Sequence, residues 1–262
     1  MKLKVATHNG IFHADEVTAI ALLKLFDDNE ISVTRLKHET KDFSSYDMVI
    51  DIGKRYDGKK YFDHHQYKGG KSSAGLIWEY LEEEENYPSI SKLIKIVDEN
   101  DVGITKAKPF EYSSLIAHFN YHNNIYGDKQ EECFNKAVEF AYTILNSLKQ
   151  NEEELEEAQS IVNNSFYFEG NRKIIELEQY TRFWSRYING QTMPDIKAVV
   201  WEDEEDGKWK VKIPSKRPGS FELVAKPLKP DNSMEFVHES GFFGIAKDKE
   251  TLLSYLQRQY GK

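Results

Sequence analysis

Leu3-Lys4-Val5-Ala6-Thr7-His8-Asn9-Gly10-Ile11-Phe12-His13-Ala14-Asp15-Glu16 opens the chain with a short strand-like run that ends on imidazoles and carboxylates. The same succession recurs twice. Met48-Val49-Ile50 leads into Asp51-Ile52-Gly53, and Tyr61-Phe62 leads into Asp63-His64-His65-Gln66. Between the first and second runs, residues 15–27 carry apolar Val17, Ile20, Ala21, Leu22, Leu23, Leu25 and Phe26, interrupted by Lys24, which predicts a largely buried helix. Ile31–Leu36 alternates as a strand should. Strands alternating with helices imply an α/β fold with a mostly parallel sheet flanked by helices. Ligands of such sheets sit beyond the carboxyl ends of the strands. All three motifs fall there, so the expected fold and the expected chemistry agree.

Further along, Ser72-Ser73-Ala74-Gly75 begins a helix that continues through Leu76, Ile77, Trp78, Tyr80 and Leu81. Ser89–Asn100 reads as a second helix, with Leu93, Ile94 and Val97 inward. Residues 109–126 give no clear period. Lys129–Asn163 reads as a long helix or helix pair, and its acidic run Glu152–Glu157 as a solvated face. The pattern changes near Ser165. Lys173–Leu177, Ile196–Trp201, Trp209–Ile213 and Glu235–His238 read as strands, Asp206-Gly207 as a hairpin turn and 248–259 as a closing helix. The expected organisation is a metal-binding catalytic domain over 1–164 and a smaller α/β substrate-binding domain over 165–262.

The bulk numbers narrow the function classes. A chain of 262 residues, 39% hydrophobic and 30% charged, can bury a substantial core, and no stretch has the apolar length of a membrane span. The single cysteine, Cys133, excludes an intrachain disulfide and reads as a packed helical thiol in a reducing compartment. No leader is expected ahead of a motif that starts at residue 8, so the expected location is cytoplasmic. A formal charge of −9 argues against binding along duplex DNA, which needs many Lys and Arg contacts. It leaves room for a short oligonucleotide or nucleotide held by metal ions.

Mixed carboxylate and imidazole sets suit Mn²⁺, Zn²⁺ or Fe²⁺ better than the all-oxygen shells of Mg²⁺ and Ca²⁺. Asp51 stands at a strand end before a glycine that lets the chain turn. Its two oxygens suit it to bridge two cations, which in two-metal hydrolases lie about 3.5–4 Å apart. Adjacent side chains on an extended strand point to opposite sides. That assigns His64 to a metal and His65 to orienting or protonating a phosphoryl group, with Asp63 fixing a histidine tautomer. His8, His13 and Asp15 share the first loop around Asn9-Gly10, where Asp15 also suits a helix N-cap. Asp98 and Asp101 share a helical face, and spacing does not say which of them reaches the metal. His118 and His122 are spaced like ligands but lack a third and read as structural.

Together these motifs resemble the DHH phosphoesterase superfamily, named for the tripeptide that stands here as Asp63-His64-His65. It includes RecJ-type exonucleases, short-oligoribonucleotide hydrolases and family II inorganic pyrophosphatases. The narrower likeness is to the MYG family (melanocyte proliferating gene). It is carried by Thr7 to Glu16, Phe62 to Gln66 and Ser72 to Trp78, and reappears at Phe236-Val237-His238-Glu239-Ser240-Gly241-Phe242. The resemblance implies a two-Mn²⁺ phosphohydrolase domain followed by a smaller substrate-binding domain. It places His8, His13 and Asp51 around one metal, and Asp15, Asp51, His64 and Asp98 or Asp101 around the other. His13 stands where the superfamily's usual first motif has Asp. The segment between Ser220-Phe221-Glu222 and Phe236-Val237-His238 is short for the family.

The expected function is therefore a phosphodiesterase or exonuclease acting on RNA or short oligonucleotides through a metal-activated water, with Asp15, Asp51 and His65 catalytic. Ser72, Ser73 and the start of the following helix would hold a phosphate oxygen, and Arg217, His238, Ser240 and Gly241 would hold the rest of the substrate. Trp201, Trp209 and Phe221 read as core rather than as base-stacking residues. Two other classes remain open: hydrolysis of pyrophosphate or a mononucleotide, and non-catalytic nucleotide binding. Homo-oligomerisation is open as well.

Overall fold

The computed structural model describes residues 2–261, which form two compact units divided between Glu152 and Glu153. In the first unit, β1 (Lys2–His8), β2 (Glu30–Leu36), β3 (Met48–Ile50) and β4 (Tyr61–Phe62) form a parallel sheet in the order β2-β1-β3-β4. Val5 pairs with Met48, and Ala6 with Val49. Val49 pairs with Tyr61, and Ile50 with Phe62. Extending these registers past the last paired residues sets His8, Asp51 and Asp63 side by side at the carboxyl edge. The sheet thus converts three distant stretches of sequence into one row of polar side chains.

Helices complete the core. α1 (Ala14–Phe26) is buried from Ala14 through Leu23, as its nearly unbroken apolar run requires, and Lys24 is its solvent contact. α2 (Ser73–Leu81) and α3 (Pro88–Asp101) pack with it, adding Ile77, Trp78, Ile90, Ile94 and Val97 to the same core. The ambiguous stretch before the long helix contains the short α4 (Tyr112–Ala117). α5 (Asp128–Asn163) is continuous. Its early turns supply Phe134, Ala137, Val138, Ala141 and Leu145 to the first core, and Val162 belongs to a core of the second unit. The division between units therefore falls inside α5, whose end coincides with the composition change near Ser165.

The second unit is a mixed sheet. Its strands are β5 (Phe166–Tyr167), β6 (Ile174–Glu176), β7 (Ala198–Glu202), β8 (Trp209–Lys212), β9 (Phe236–Val237) and β10 (Phe243–Ala246), in the order β5-β6-β7-β8-β10-β9. Among the described residues of this sheet, only β6 and β7 pair in parallel. Successive side chains of β7 alternate between two cores. Ala198 and Val200 pack with Leu252, Tyr255 and Leu256 of α7 (Lys249–Tyr260), whereas Val199 and Trp201 pack with Trp184 of α6 (Trp184–Tyr187). β10 is short and contains Gly244, so it carries little strand signal although it pairs on both sides. Among the described residues no helix is long and apolar enough to cross a membrane.

Candidate metal centre

β1 ends at His8, whose Nδ1 lies 2.9 Å from the Asn9 carbonyl oxygen. With Nδ1–H donating there, Nε2 is turned to Glu16 Oε1 at 3.0 Å and Asp51 Oδ2 at 3.2 Å. Such an arrangement fixes the tautomer that a histidine ligand needs. Burial lowers the His8 pKa, but Asp51 and Glu16 outweigh it and push the value up to about 11.

Asp51 follows β3 with φ +56°, a left-handed conformation rare for a residue with a side chain. Its amide donates to the Phe62 carbonyl (3.1 Å), and Ser73 Oγ donates to its Oδ1 (3.1 Å). Strained positions of this kind persist where the surroundings over-determine them, commonly at functional sites. Burial raises the Asp51 pKa, but His64 and His8 hold it well below the usual carboxylate range.

The two histidines after β4 do not diverge as an extended chain would make them. β4 ends at Phe62, and the Tyr67 amide donates to the His64 carbonyl (2.9 Å), bending the segment. Both rings consequently face one carboxylate: His64 Nε2 is 3.4 Å and His65 Nδ1 3.3 Å from Asp51 Oδ1. Asp63 steadies His65, with Oδ1 2.9 Å from its Nδ1, while Asp63 Oδ2 accepts from the Lys54 amide at 2.6 Å. His64 Nε2 also lies 3.0 Å from Asp101 Oδ2 and 3.7 Å from Asp15 Oδ2, yet it hydrogen-bonds to none of these oxygens among the described residues. Burial lowers the His64 pKa, but Asp101 and Asp51 bring it up to about 10.

Asp15 supplies the clearest test of whether these residues suit a cation. It is wholly buried, and neither carboxylate oxygen has a hydrogen-bond partner among the described residues. Burial, with Asp51, Glu16 and Asp101 nearby, drives its pKa well above normal. An uncompensated buried carboxylate costs several kcal/mol, roughly, and a coordinated cation would offset that cost. Among the described residues, three sets of donor atoms lie close enough to hold an ion: His8, His13, Glu16 and Asp51; Asp51, His64 and His65; and His13, Asp15 and Asp101. Asp51 belongs to two sets, and His13 to two.

Of the two aspartates on α3, Asp101 joins the cluster and Asp98 does not. Asp98 Oδ1 accepts from Ser72 N (2.8 Å) and Ser72 Oγ (2.6 Å) at the start of α2. Expecting Asp98 as a ligand is thus corrected: its carboxylate is consumed in joining α3 to α2. The same geometry revises Ser72 and Ser73 as phosphate holders. Both are fully buried, Ser72 bound to Asp98 and Ser73 to Asp51, so the α2 N-terminus is already occupied by the protein's own carboxylate.

The sequence profile MYG1_exonuc, "Uncharacterised protein family (UPF0160)", matches residues 4–258. The chain belongs to this family. It is similar to the MYG1 protein of Saccharomyces cerevisiae, 26% identical over 319 residues that cover 96% of this chain and 94% of the relative. It is also similar to the MYG1 exonuclease of Homo sapiens, at 26% identity with 96% and 84% covered. The MYG1 protein of Chlamydia trachomatis is 36% identical over 160 residues, and the match spans about half of each chain (56% and 54%). The 319-residue alignment exceeds the 262 residues here, so the yeast relative carries insertions that this chain lacks.

Several residues that shape this MYG1-family site escaped the sequence reading. Glu16 joins the first donor set, and its carboxylate also accepts from the His13 amide at 3.0 Å. The His13-x-x-Glu16 spacing is that of a capping box, which was the available signal. Arg35 donates to the carbonyls of His8 (3.1 Å) and Gly10 (2.8 Å) and to Glu131 Oε1 (3.0 Å). Gln130 also donates to the Gly10 carbonyl (2.8 Å), and Asn120 exchanges hydrogen bonds with the backbone of Phe12 (3.0 and 2.9 Å). These buried polar contacts fix the first motif's loop. His38 stacks on His8, with ring centroids 4.7 Å apart. Among the described residues, His118 and His122 join none of the three donor sets.

In the second unit, His238, Ser240 and Gly241 share one turn. His238 Nδ1 lies 2.9 Å from Ser240 Oγ, and the Gly241 amide donates to the His238 carbonyl (2.7 Å). Gly241 has φ +68°, and a Cβ there would stand 2.6 Å from the Leu228 carbonyl oxygen. Arg217 is exposed in the turn closed by the Ser215–Leu223 bridge, its carbonyl accepting from Ser215 Oγ (2.8 Å). Trp201 and Trp209 are core, as expected, whereas Phe221 is fully exposed: it lies within this turn, outside any strand.

Proposed function

We propose that the chain is a metal-dependent phosphohydrolase, a phosphodiesterase or exonuclease of RNA or short oligonucleotides that works with two divalent ions, Mn²⁺ foremost. The observation that carries this reading is Asp51, a strained buried carboxylate common to two donor sets beside the orphaned oxygens of Asp15. The names of the bovine and human relatives, both MYG1 exonuclease, support the nuclease class, and the Asp63-His64-His65 tripeptide supports the likeness to DHH phosphoesterases. His8, His13, Glu16 and Asp51 would hold one ion, and Asp15, Asp51, His64 and Asp101 the other.

Ions bound there would supply charge stabilisation to phosphoryl oxygens and acidify a water molecule. The chain's own groups do the rest. Ser73 Oγ holds Asp51 in place. Asp63 holds Nδ1 of His65, leaving Nε2 to donate to a phosphoryl oxygen in general acid catalysis. Arg217, His238, Ser240 and Gly241 are assigned to the remainder of the substrate. A comparison of pyrophosphate, a nucleoside monophosphate, a dinucleotide and a longer RNA, each with Mn²⁺, tests the reading. Dinucleotide or RNA cleavage that Asp51→Asn abolishes supports it. Cleavage of pyrophosphate alone, or activity indifferent to Asp51, refutes it.

A further inference from the structure

Two clefts open on the metal centre and meet at His13, Asp51 and His65. Their walls differ. The cleft beneath α3, about 780 Å³, is lined by apolar Val97, Ile104, Ala107 and Ala117 with Lys106 as its cation. The other, about 970 Å³, falls within the usual range of ligand sites, roughly 300–1,000 Å³. Lys41 and Lys54 line it, both exposed, and neither ammonium has a carboxylate partner among the described residues. Outside the three donor sets its carboxylates are Glu39 and Asp63, and Asp63 is already bound to His65 and to the Lys54 amide.

This second cleft also presents aromatic surface. Tyr126 is 67% exposed, and among the described residues its hydroxyl has no hydrogen bond and its ring no ring contact. The ring rests against Gly10, where a Cβ would stand 3.3 Å from Tyr126 Cε1, so the absence of a side chain at residue 10 gives the tyrosine its seat. That seat is firm, because Arg35 and Gln130 both clamp the Gly10 carbonyl. His38, stacked on His8, lines the same cleft.

Resting on the phosphodiesterase reading, we propose that the Tyr126 cleft is the subsite for one nucleotide of the substrate, with the base on Tyr126 and the phosphate against Lys54 and Lys41. Unpaired lysines at a metal-centre cleft suit phosphate, and an exposed, seated aromatic ring suits a base, because stacking is open to any base. Ribose phosphate alone would use the lysines and not the ring.

Titration calorimetry with adenosine 5′-monophosphate and ribose 5-phosphate, each in the presence of Mn²⁺, separates these contributions. The wild-type chain should bind the nucleotide roughly tenfold more tightly than the sugar phosphate. Tyr126→Ala should erase that preference, Tyr126→Phe should keep it, and Lys54→Gln should weaken both ligands alike. Equal wild-type affinities, or a preference that survives Tyr126→Ala, would overturn the proposal. Asp51-dependent RNA cleavage with an unchanged preference in Tyr126→Ala would sink the subsite alone. The expected preference alongside RNA cleavage indifferent to Asp51 would sink the hydrolase reading and leave the subsite standing.

Discussion

Gly75→Ala sets two effects of opposite sign against each other. Alanine inside a helix is worth up to about 1 kcal/mol over glycine, so propensity alone predicts a stabler protein. At this position, however, a Cβ would stand 2.4 Å from Asp98 Oδ2 and 2.6 Å from Oδ1. Restoring ordinary contact near 3.4 Å requires the carboxylate to withdraw by about 1 Å. Its bonds from Ser72 N (2.8 Å) and Ser72 Oγ (2.6 Å) cannot both survive that shift. Leaving buried polar groups unsatisfied costs about 1–3 kcal/mol each. With one or two such groups stranded and the propensity gain deducted, the net loss is roughly 1–4 kcal/mol. Urea unfolding followed by circular dichroism measures it. In an Asp98→Ala background the penalty should vanish, giving a coupling of the size expected for contacting residues. A Gly75→Ala protein as stable as wild type would refute the clamp and return Asp98 to the ligand candidates.

Other consequences follow from the same geometry. Asp101→Ala should abolish Mn²⁺-dependent hydrolysis and lower metal content, whereas Asp98→Ala should lower the melting temperature and leave metal content unchanged. Because the folded-state pKa values of His8 and His64 are raised to about 11 and about 10, their contribution to the metal-free protein is complete below about pH 6.5 and is lost towards pH 10–11. Thermal melts in chelator should therefore fall as pH rises over that range. Metal affinity should rise with pH instead, because ligation needs neutral imidazoles. Arg35→Ala should weaken Mn²⁺ binding about 10-fold or more, the usual effect of losing a residue that orients ligands, and calorimetric titration reads it.

Legibility in the sequence followed locality. The β1, β3 and β4 runs and their polar ends were readable because strand signal and ligand-type residues stand next to each other. Sheet register then does the convergence that spacing cannot show, aligning His8, Asp51 and Asp63. The opposite-facing geometry expected of His64 and His65 fails for a local reason: the chain bends immediately after Phe62, so the rule for extended strands stops applying. Asp98 and Asp101 were indistinguishable because three-residue spacing gives them similar faces. Only the packing of α3 on α2 sends one to Ser72 and the other to His64. Arg35, Asn120 and Gln130 carried no signal, since their partners on the first motif's loop are backbone carbonyls and amides remote in sequence. β10 was missed because a short strand containing glycine looks like loop until its neighbours pair with it.

Equilibrium dialysis against Mn²⁺ with elemental analysis, run on wild type and on Asp51→Asn, addresses the shared metal centre most directly. Two manganese ions per wild-type chain are expected, with a sharp loss of both in the variant. A wild-type chain that takes up no manganese at saturation, or an Asp51→Asn chain that keeps both ions, would contradict the shared centre.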